Sequence, residues 1–373
     1  MRVLALCSYP REAAATRFRV EQFVRLLGRK GIEVEMRPFL DSGQFAALYQ
    51  GGGVTGKVGG VVKPVLKRLS GIMGTRGYDV LFVQREAMIF GPAVFEWLYM
   101  NLGGMPMVLD LDDATYVHYV SPTYGRLGTA LKFFGKTDAL IRRAAVVTCG
   151  NRFIAEYVKS RGAPAVVVPT VVNLDVFRPR EERAEARTLN IGWIGTHSTF
   201  PFLESIFPVL ERLAEKHRFI LKIVGAGRPD IKIKGLEVEN LEWDLERETE
   251  DFRSLDIGLY PVTVSASANP EWIKGKSGFK AVQYMAVGVP FVMSPVGVCA
   301  EMGEPGTTHF NAETETDWYN SLDSLLSDVG MRARMGAAGR QYALKNFDLE
   351  RQADLLADTF ERVAKERKRT SGR

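Results

Sequence analysis

Short apolar runs alternate with longer stretches in which apolar residues return every three or four positions. In the first half, RVLALC (2–7) is followed by the helix-period stretch TRFRVEQFVRLLGRKG (16–31) and then by IEVEMRPF (32–39). YDVLFVQ (78–84), PMVLDLDD (106–113), AAVVTCG (144–150) and AVVVPT (165–170) are further short, β-rich runs. The second half repeats the rhythm with LNIGWIGT (189–196), FILKIVGAG (219–227), LEVENLEW (236–243), DIGLYPV (256–262) and PFVMSPVG (290–297). Strands that alternate with helical crossovers predict an α/β protein with parallel sheets. At 373 residues the chain exceeds one ordinary core, so two domains are expected. Apolar periodicity lapses and charge accumulates in NLDVFRPREERAEARTLN, which predicts a linker near residues 174–188.

Charge changes the picture unevenly. Residues 1–180 carry 24 Lys and Arg against 14 Asp and Glu, and residues 181–373 carry 25 against 30. The first half is therefore basic and the second mildly acidic, which suits phosphorylated substrates or anionic lipid headgroups as well as an ordinary solvated surface. Residues 51–76 are glycine-rich, apolar and basic, with Lys63, Lys67, Arg68 and Arg76 interspersed. They read either as a loop leading into an interfacial amphipathic helix or as a flexible connection packed on its own domain. No aromatic-interleaved basic stripe suggests nucleic acid. No apolar run has the roughly 18–20 residues that span a bilayer. Cys7, Cys149 and Cys299 lie far apart with no metal-ligand spacing, which points to reduced thiols and a cytoplasmic setting.

Candidate chemistry gathers where strands end. Asp110, Asp112 and Asp113 close one apolar run, and carboxylates there suit a base, a sugar-hydroxyl contact, a metal or a turn cap. Gln84, Arg85 and Glu86 close another, and Arg17 and Arg19 open the first helix. In the second half Gly195, Thr196, His197, Ser198 and Thr199 form a strand-to-helix turn, expected either to cap the helix or to offer N–H groups to an anion. Lys274, Lys276 and Lys280 cluster around Gly278, the apparent start of the helix GFKAVQYMAVG. Cations there oppose the helix dipole, a conflict that a bound polyphosphate would remove. GKS at 275–277 is not a P-loop, because Pro270 stands where that motif needs its first glycine.

Several stretches together resemble the GT-B glycosyltransferases, specifically family 4. They are IGWIG with the following ST and L (191–203), KSGFKAVQYMAVGVP (276–290), PVGV (295–298) and MGAAGRQYALKNFDLERQADLL (335–356). TRFRVEQF, VQRE, LDLDDATY and GNRFIAEY with the downstream VVPTVVNLDVFRP add to it, so the resemblance covers almost the whole chain. It implies two Rossmann-like domains facing across a cleft: residues 1–178 binding the acceptor, residues 179–349 binding a nucleotide sugar, and a terminal helix at 350–373 returning to the first. It also implies retaining sugar transfer with no metal or other cofactor. The glutamate pair usual in the family falls on Gly275 and Gln283 here, and its strand-end histidine on Asp112.

The resulting expectation is a retaining glycosyltransferase of surface-polysaccharide or glycoconjugate biosynthesis. Lys274, Lys276, Lys280, Gly278 and the 195–199 turn would meet the diphosphate, Gln283 the ribose, and Trp243 with Leu245 the base. Asp112, Asp113 and Arg85 would be catalytic, with Arg17, Arg19, Glu86 and Asn151 on the acceptor side. The partners expected are a nucleotide sugar and a saccharide or lipid-linked saccharide acceptor, at the inner face of the membrane. A non-catalytic protein of the same fold and a nucleotide-sugar epimerase are the alternatives.

Overall fold

A computed structural model describes residues 1–49, 54–118, 129, 131–180, 188–262 and 269–371. The chain forms two compact units, each built on a six-stranded parallel sheet. The first comprises Met1–Thr170, Asn269–Ser277 and Glu350–Arg373; the second comprises Val171–Ala268 and Gly278–Leu349.

In the first unit the strands are β1 (Arg2–Cys7), β2 (Glu33–Pro38), β3 (Val80–Gln84), β4 (Met107–Leu111), β5 (Val146–Cys149) and β6 (Ala165–Val167), in the order β2-β1-β3-β4-β5-β6. The central strands β3, β4 and β5 are buried at every position, which is why they read as unbroken apolar runs. Helices Val94–Gly103, Gly135–Arg143 and Arg152–Ser160 cover one face, sharing a core with Leu4, Leu81, Leu109 and Val147. The terminal helix Leu349–Ser371 packs on the same unit. Its Phe360 ring meets Phe82 edge-on at 5.2 Å, and its Glu350 pairs with Arg29.

The second unit contains β7 (Leu189–Ile194), β8 (Phe219–Val224), β9 (Glu237–Leu241), β10 (Ile257–Tyr260), β11 (Phe291–Met293) and β12 (Phe310–Asn311). Their order, β12-β11-β10-β7-β8-β9, is that of a dinucleotide-binding sheet, with its switch point between β7 and β10. The first sheet reverses between β1 and β3. In both, the carboxyl ends of the strands at the switch are where open α/β sheets bind ligands.

The expected linker differs in part. Residues 174–180 are fastened into the second unit, where Arg340 donates to the carbonyls of Leu174 and Phe177 and Arg180 pairs with Asp256. Residues 181–187 lie outside the described residues. The helix expected after residue 51 runs from Val54 to Ser70. Arg68, expected on its surface, is instead buried, donating to the carbonyls of Arg37 and Cys7. Among the described residues no helix is long and apolar enough to cross a membrane.

Candidate functional site

The rim of the first sheet is a set of closed ion pairs. Arg85 follows β3 in the left-handed region, at φ 62°. Its amide donates to the Asp110 carbonyl at 2.8 Å. That backbone conformation, costing about 1–3 kcal/mol for a residue with a side chain, turns the guanidinium onto Asp112. Nε and Nη2 donate to the two carboxylate oxygens at 2.6 and 2.7 Å, and Gln84 adds a third donor at 3.2 Å. Burial alone would raise the Asp112 carboxyl, but Arg85 and, behind it, Arg19 outweigh it and hold the group below the ordinary carboxylate range. Asp112 is therefore a fixed anion with both oxygens engaged. Asp113 accepts from the Ala114 amide at 3.0 Å and lies 3.9 Å from Arg85.

Arg19, expected on the rim, is interior. One turn of the first helix, Arg17–Glu21, is wound as a π-helix that buries Phe18, Arg19 and Val20. The Arg19 guanidinium grips Asp110 at 2.5 and 3.0 Å and donates to the Val168 carbonyl and to Thr170. It ties the helix to β4 and the end of β6, which is a structural role. Arg17 stays half-buried and braces the loop after β1, donating to the carbonyls of Arg11 and Glu12. Glu86 pairs with Lys136 at 2.6 Å.

Asn151, expected on the acceptor side, is also committed internally. Its Oδ1 caps the helix Arg152–Ser160, and its Nδ2 donates to the carbonyls of Gly275 and Lys276 at 3.2 and 3.1 Å. The segment Asn269–Ser277 is thereby held on the first unit. There Gly275 lies so close to Ala114 that an added Cβ would fall 2.3 Å from the alanine Cβ. That contact explains why a glycine stands where the resembling family carries a glutamate: no side chain fits.

The lysine cluster divides. Lys274 ends its own short helix, Pro270–Lys274, and pairs with Glu271 at 3.1 Å, so it complements that helix's dipole instead of opposing one. Lys276 sits 3.7 Å over the Trp272 ring. Both group with the first unit, whereas Gly278, Lys280 and Gln283 belong to the second.

On the second unit's rim, the hydroxyls after β7 bond to one another. Thr196 Oγ1 lies 2.9 Å from Ser198 Oγ, and Thr199 Oγ1 accepts from the Thr196 amide while donating to its carbonyl. The expectation that they cap the next helix fails: Thr199 holds the cap position with no side-chain bond, and its own amide donates to Thr196. The neighbouring turn packs closely on this one. Gly225, at φ 81°, has room for no Cβ, which would fall 2.4 Å from the Gly195 carbonyl and 3.3 Å from Trp243. Gly227 likewise approaches His197. Trp243 and Leu245 follow β9, half-buried.

Helix Phe279–Ala286 starts from Gly278 and carries Gln283 fully buried. Its Oε1 accepts from Lys280 at 3.3 Å, and its Nε2 has no partner among the described residues. An unmatched buried donor costs about 1–3 kcal/mol, so this amide is poised for an acceptor such as a ligand hydroxyl. Sequence reading missed Glu12, in the loop after β1, whose Oε2 is likewise buried without a partner. Its only signal is an acid just beyond a strand that ends near Pro10.

No family model and no curated protein matches the chain by sequence. Solved structures do match it. Sucrose-phosphate synthase from Thermosynechococcus elongatus is similar over 97% of this chain and 99% of its own, at TM-score 0.67 and 14% identity. Anabaena HepE, solved in complex with UDP-glucose, is similar over the same shares at TM-score 0.67 and 13% identity. A glycosyltransferase from Rickettsia africae follows at TM-score 0.66 and 14% identity, over 97% of this chain and 98% of that one. The chain has the fold these proteins share, the two-unit α/β architecture called GT-B.

Proposed function

We propose that the protein is a glycosyltransferase that moves a sugar from a nucleotide-sugar donor to a saccharide or lipid-linked saccharide acceptor. The observation that carries this reading is the likeness, over nearly the full length of both chains, to a protein solved with UDP-glucose. The second unit adds support through its dinucleotide-type strand order and the unmatched Gln283 amide at the start of a helix.

In this reading Gln283 holds a ribose hydroxyl, Lys280 and Lys276 offset diphosphate charge, and Trp243 with Leu245 border the base. Charge that develops on the leaving diphosphate is where such cations count most. Arg85 and Asp112 act as one rigid pair that orients a sugar, since a carboxylate with both oxygens engaged is a poor proton acceptor. The acceptor's proton then passes to the leaving phosphate oxygen, which is consistent with retention and needs no metal. The proposed setting is cytoplasmic, in surface-polysaccharide or glycoconjugate synthesis.

Calorimetry with a panel of nucleoside diphosphates and their sugars, UDP-glucose first, tests the donor assignment. One base is expected to bind, with Gln283→Met and Lys280→Ala each weakening it by roughly tenfold, as for a lost hydrogen bond to a charged or buried group. Binding by no nucleotide, or equal binding by both variants, overturns it. The engaged state of Asp112 also favours a second reading, a sugar-nucleotide-binding protein without turnover. Donor binding without transfer or slow hydrolysis would select that one.

A further inference from the structure

The first unit carries an apolar, cationic surface that the transfer reaction does not use. The connections β2–β3, β3–β4 and β4–β5 all step the same way across the sheet, so right-handed crossovers place their helices on one face. The shared core confirms it: Ile72, Phe95, Tyr99, Leu140 and Ile141 pack together beneath that layer. Tyr99 Oη donates to the Arg68 carbonyl, which joins helix Val94–Gly103 to helix Val54–Ser70.

Twelve large apolar side chains are exposed among the described residues, and nine belong to this layer or its adjoining turns. Val62, Leu66 and Leu69 lie on helix Val54–Ser70, with Met73, 87% exposed, in the turn beyond it. Val94, Trp97 and Leu102 lie on the next helix, and Leu131 and Phe133 precede the third. Between the last two helices runs a groove of about 460 Å³, walled by Pro92, Val94, Trp97, Phe133 and Ala139, with Arg143 at its edge. Phe133 is half-exposed and held at φ 51°, a strained conformation for an aromatic residue.

Charge selects the occupant. Lys63, Lys67, Arg76, Arg142 and Arg143 are exposed on the same three helices and their turns. The acids there are not exposed: Glu96 is buried against the Ala87 amide, and Asp138 is bound by Tyr157 and Arg161. Apolar side chains interspersed with cations suit an anionic bilayer, where rings and aliphatic chains enter the interface and lysines meet headgroups. A second copy of the chain would bring the same cations face to face.

We propose that this layer is a docking surface for anionic lipid, with Trp97 and Phe133 as its inserted anchors. It bears on the transferase reading only in that a lipid-linked acceptor would be met there; the surface itself stands on the exposed residues. The full chain, without donor, is sedimented with phosphatidylcholine vesicles that contain or lack about a third phosphatidylglycerol.

Expected are binding to the anionic vesicles that weakens with salt, a loss of roughly tenfold or more in Trp97→Glu with Phe133→Glu, and about fivefold for each of Lys63→Ala and Lys67→Ala. Lys232→Glu with Lys234→Glu, on the second unit, is expected to bind like the unaltered chain. Because the altered side chains are exposed, circular dichroism and melting should show the variants folded. Absence of binding at low salt, equal binding by the Trp97–Phe133 variant, or a dimer that this variant dissociates would each overturn the proposal. UDP-glucose binding is read separately by calorimetry, so failure of the donor assignment leaves the vesicle result intact.

Discussion

The two sheet rims solve opposite problems. On the first unit, charges are matched within the protein: Arg85 with Asp112, Arg19 with Asp110, Lys136 with Glu86. On the second, the rim consists of hydroxyls, closely approaching glycine turns and a buried amide whose donor has no partner. A rim of closed ion pairs is rigid and has little left to offer an incoming anion. A rim with close backbone packing and an unmatched donor is incomplete until something binds. The contrast assigns orientation to the first unit and capture of the donor to the second.

The comparison breaks hardest at Arg19. Arg19→Ala leaves Asp110 charged and buried, and a loss of about 3–5 kcal/mol in urea unfolding is expected. A cost below about 1 kcal/mol would mean that the pair is not the strut described. Next comes Gly275→Ala, whose Cβ would meet Ala114 and should cost about 1–3 kcal/mol. Ala114→Gly in the same chain should restore most of that loss; no recovery would place the strain elsewhere.

Asp112→Asn sharpens the charge argument. The folded-state carboxyl is held low, so its stabilisation is fully present above the ordinary carboxylate range and disappears as pH falls through the lowered value. The variant should therefore lose about 1–2 kcal/mol at neutral pH, as for a charge-assisted bond, and converge with the unaltered chain in acid. A gap that is constant with pH would contradict this. The smallest expected effect is the most telling for the second unit. Gln283→Met removes an unmatched donor and should raise stability by up to about 1 kcal/mol while lowering nucleotide affinity. A variant that is both less stable and equally good at binding would show that Gln283 serves packing alone.

Much of the fold is legible in the sequence because buried parallel strands must be continuous apolar runs. Each of the runs at 2–7, 78–84, 106–113, 189–196 and 219–227 contains a strand. The strand-end polar residues were legible as a set for the same reason, since apolar runs have to stop where the sheet meets its rim. Their individual roles were not. Asn151 and Arg19 look like ligand contacts in one dimension, yet each is occupied by partners more than a hundred or about ninety residues away. Lys274 looks misplaced before a long helix, but it ends a short one that Asn269 caps.

The sequence by itself determined two α/β units, parallel strands and the stretches from which the rims are built, because apolar periodicity is a local property of the chain. Only the tertiary structure decided which charges were already matched, that Gly275 must be bare because Ala114 lies against it, and that Gln283 keeps a donor unmatched. Those outcomes depend on which groups meet across the fold, and hydrogen-bond satisfaction and close contact are properties of pairs, not of positions.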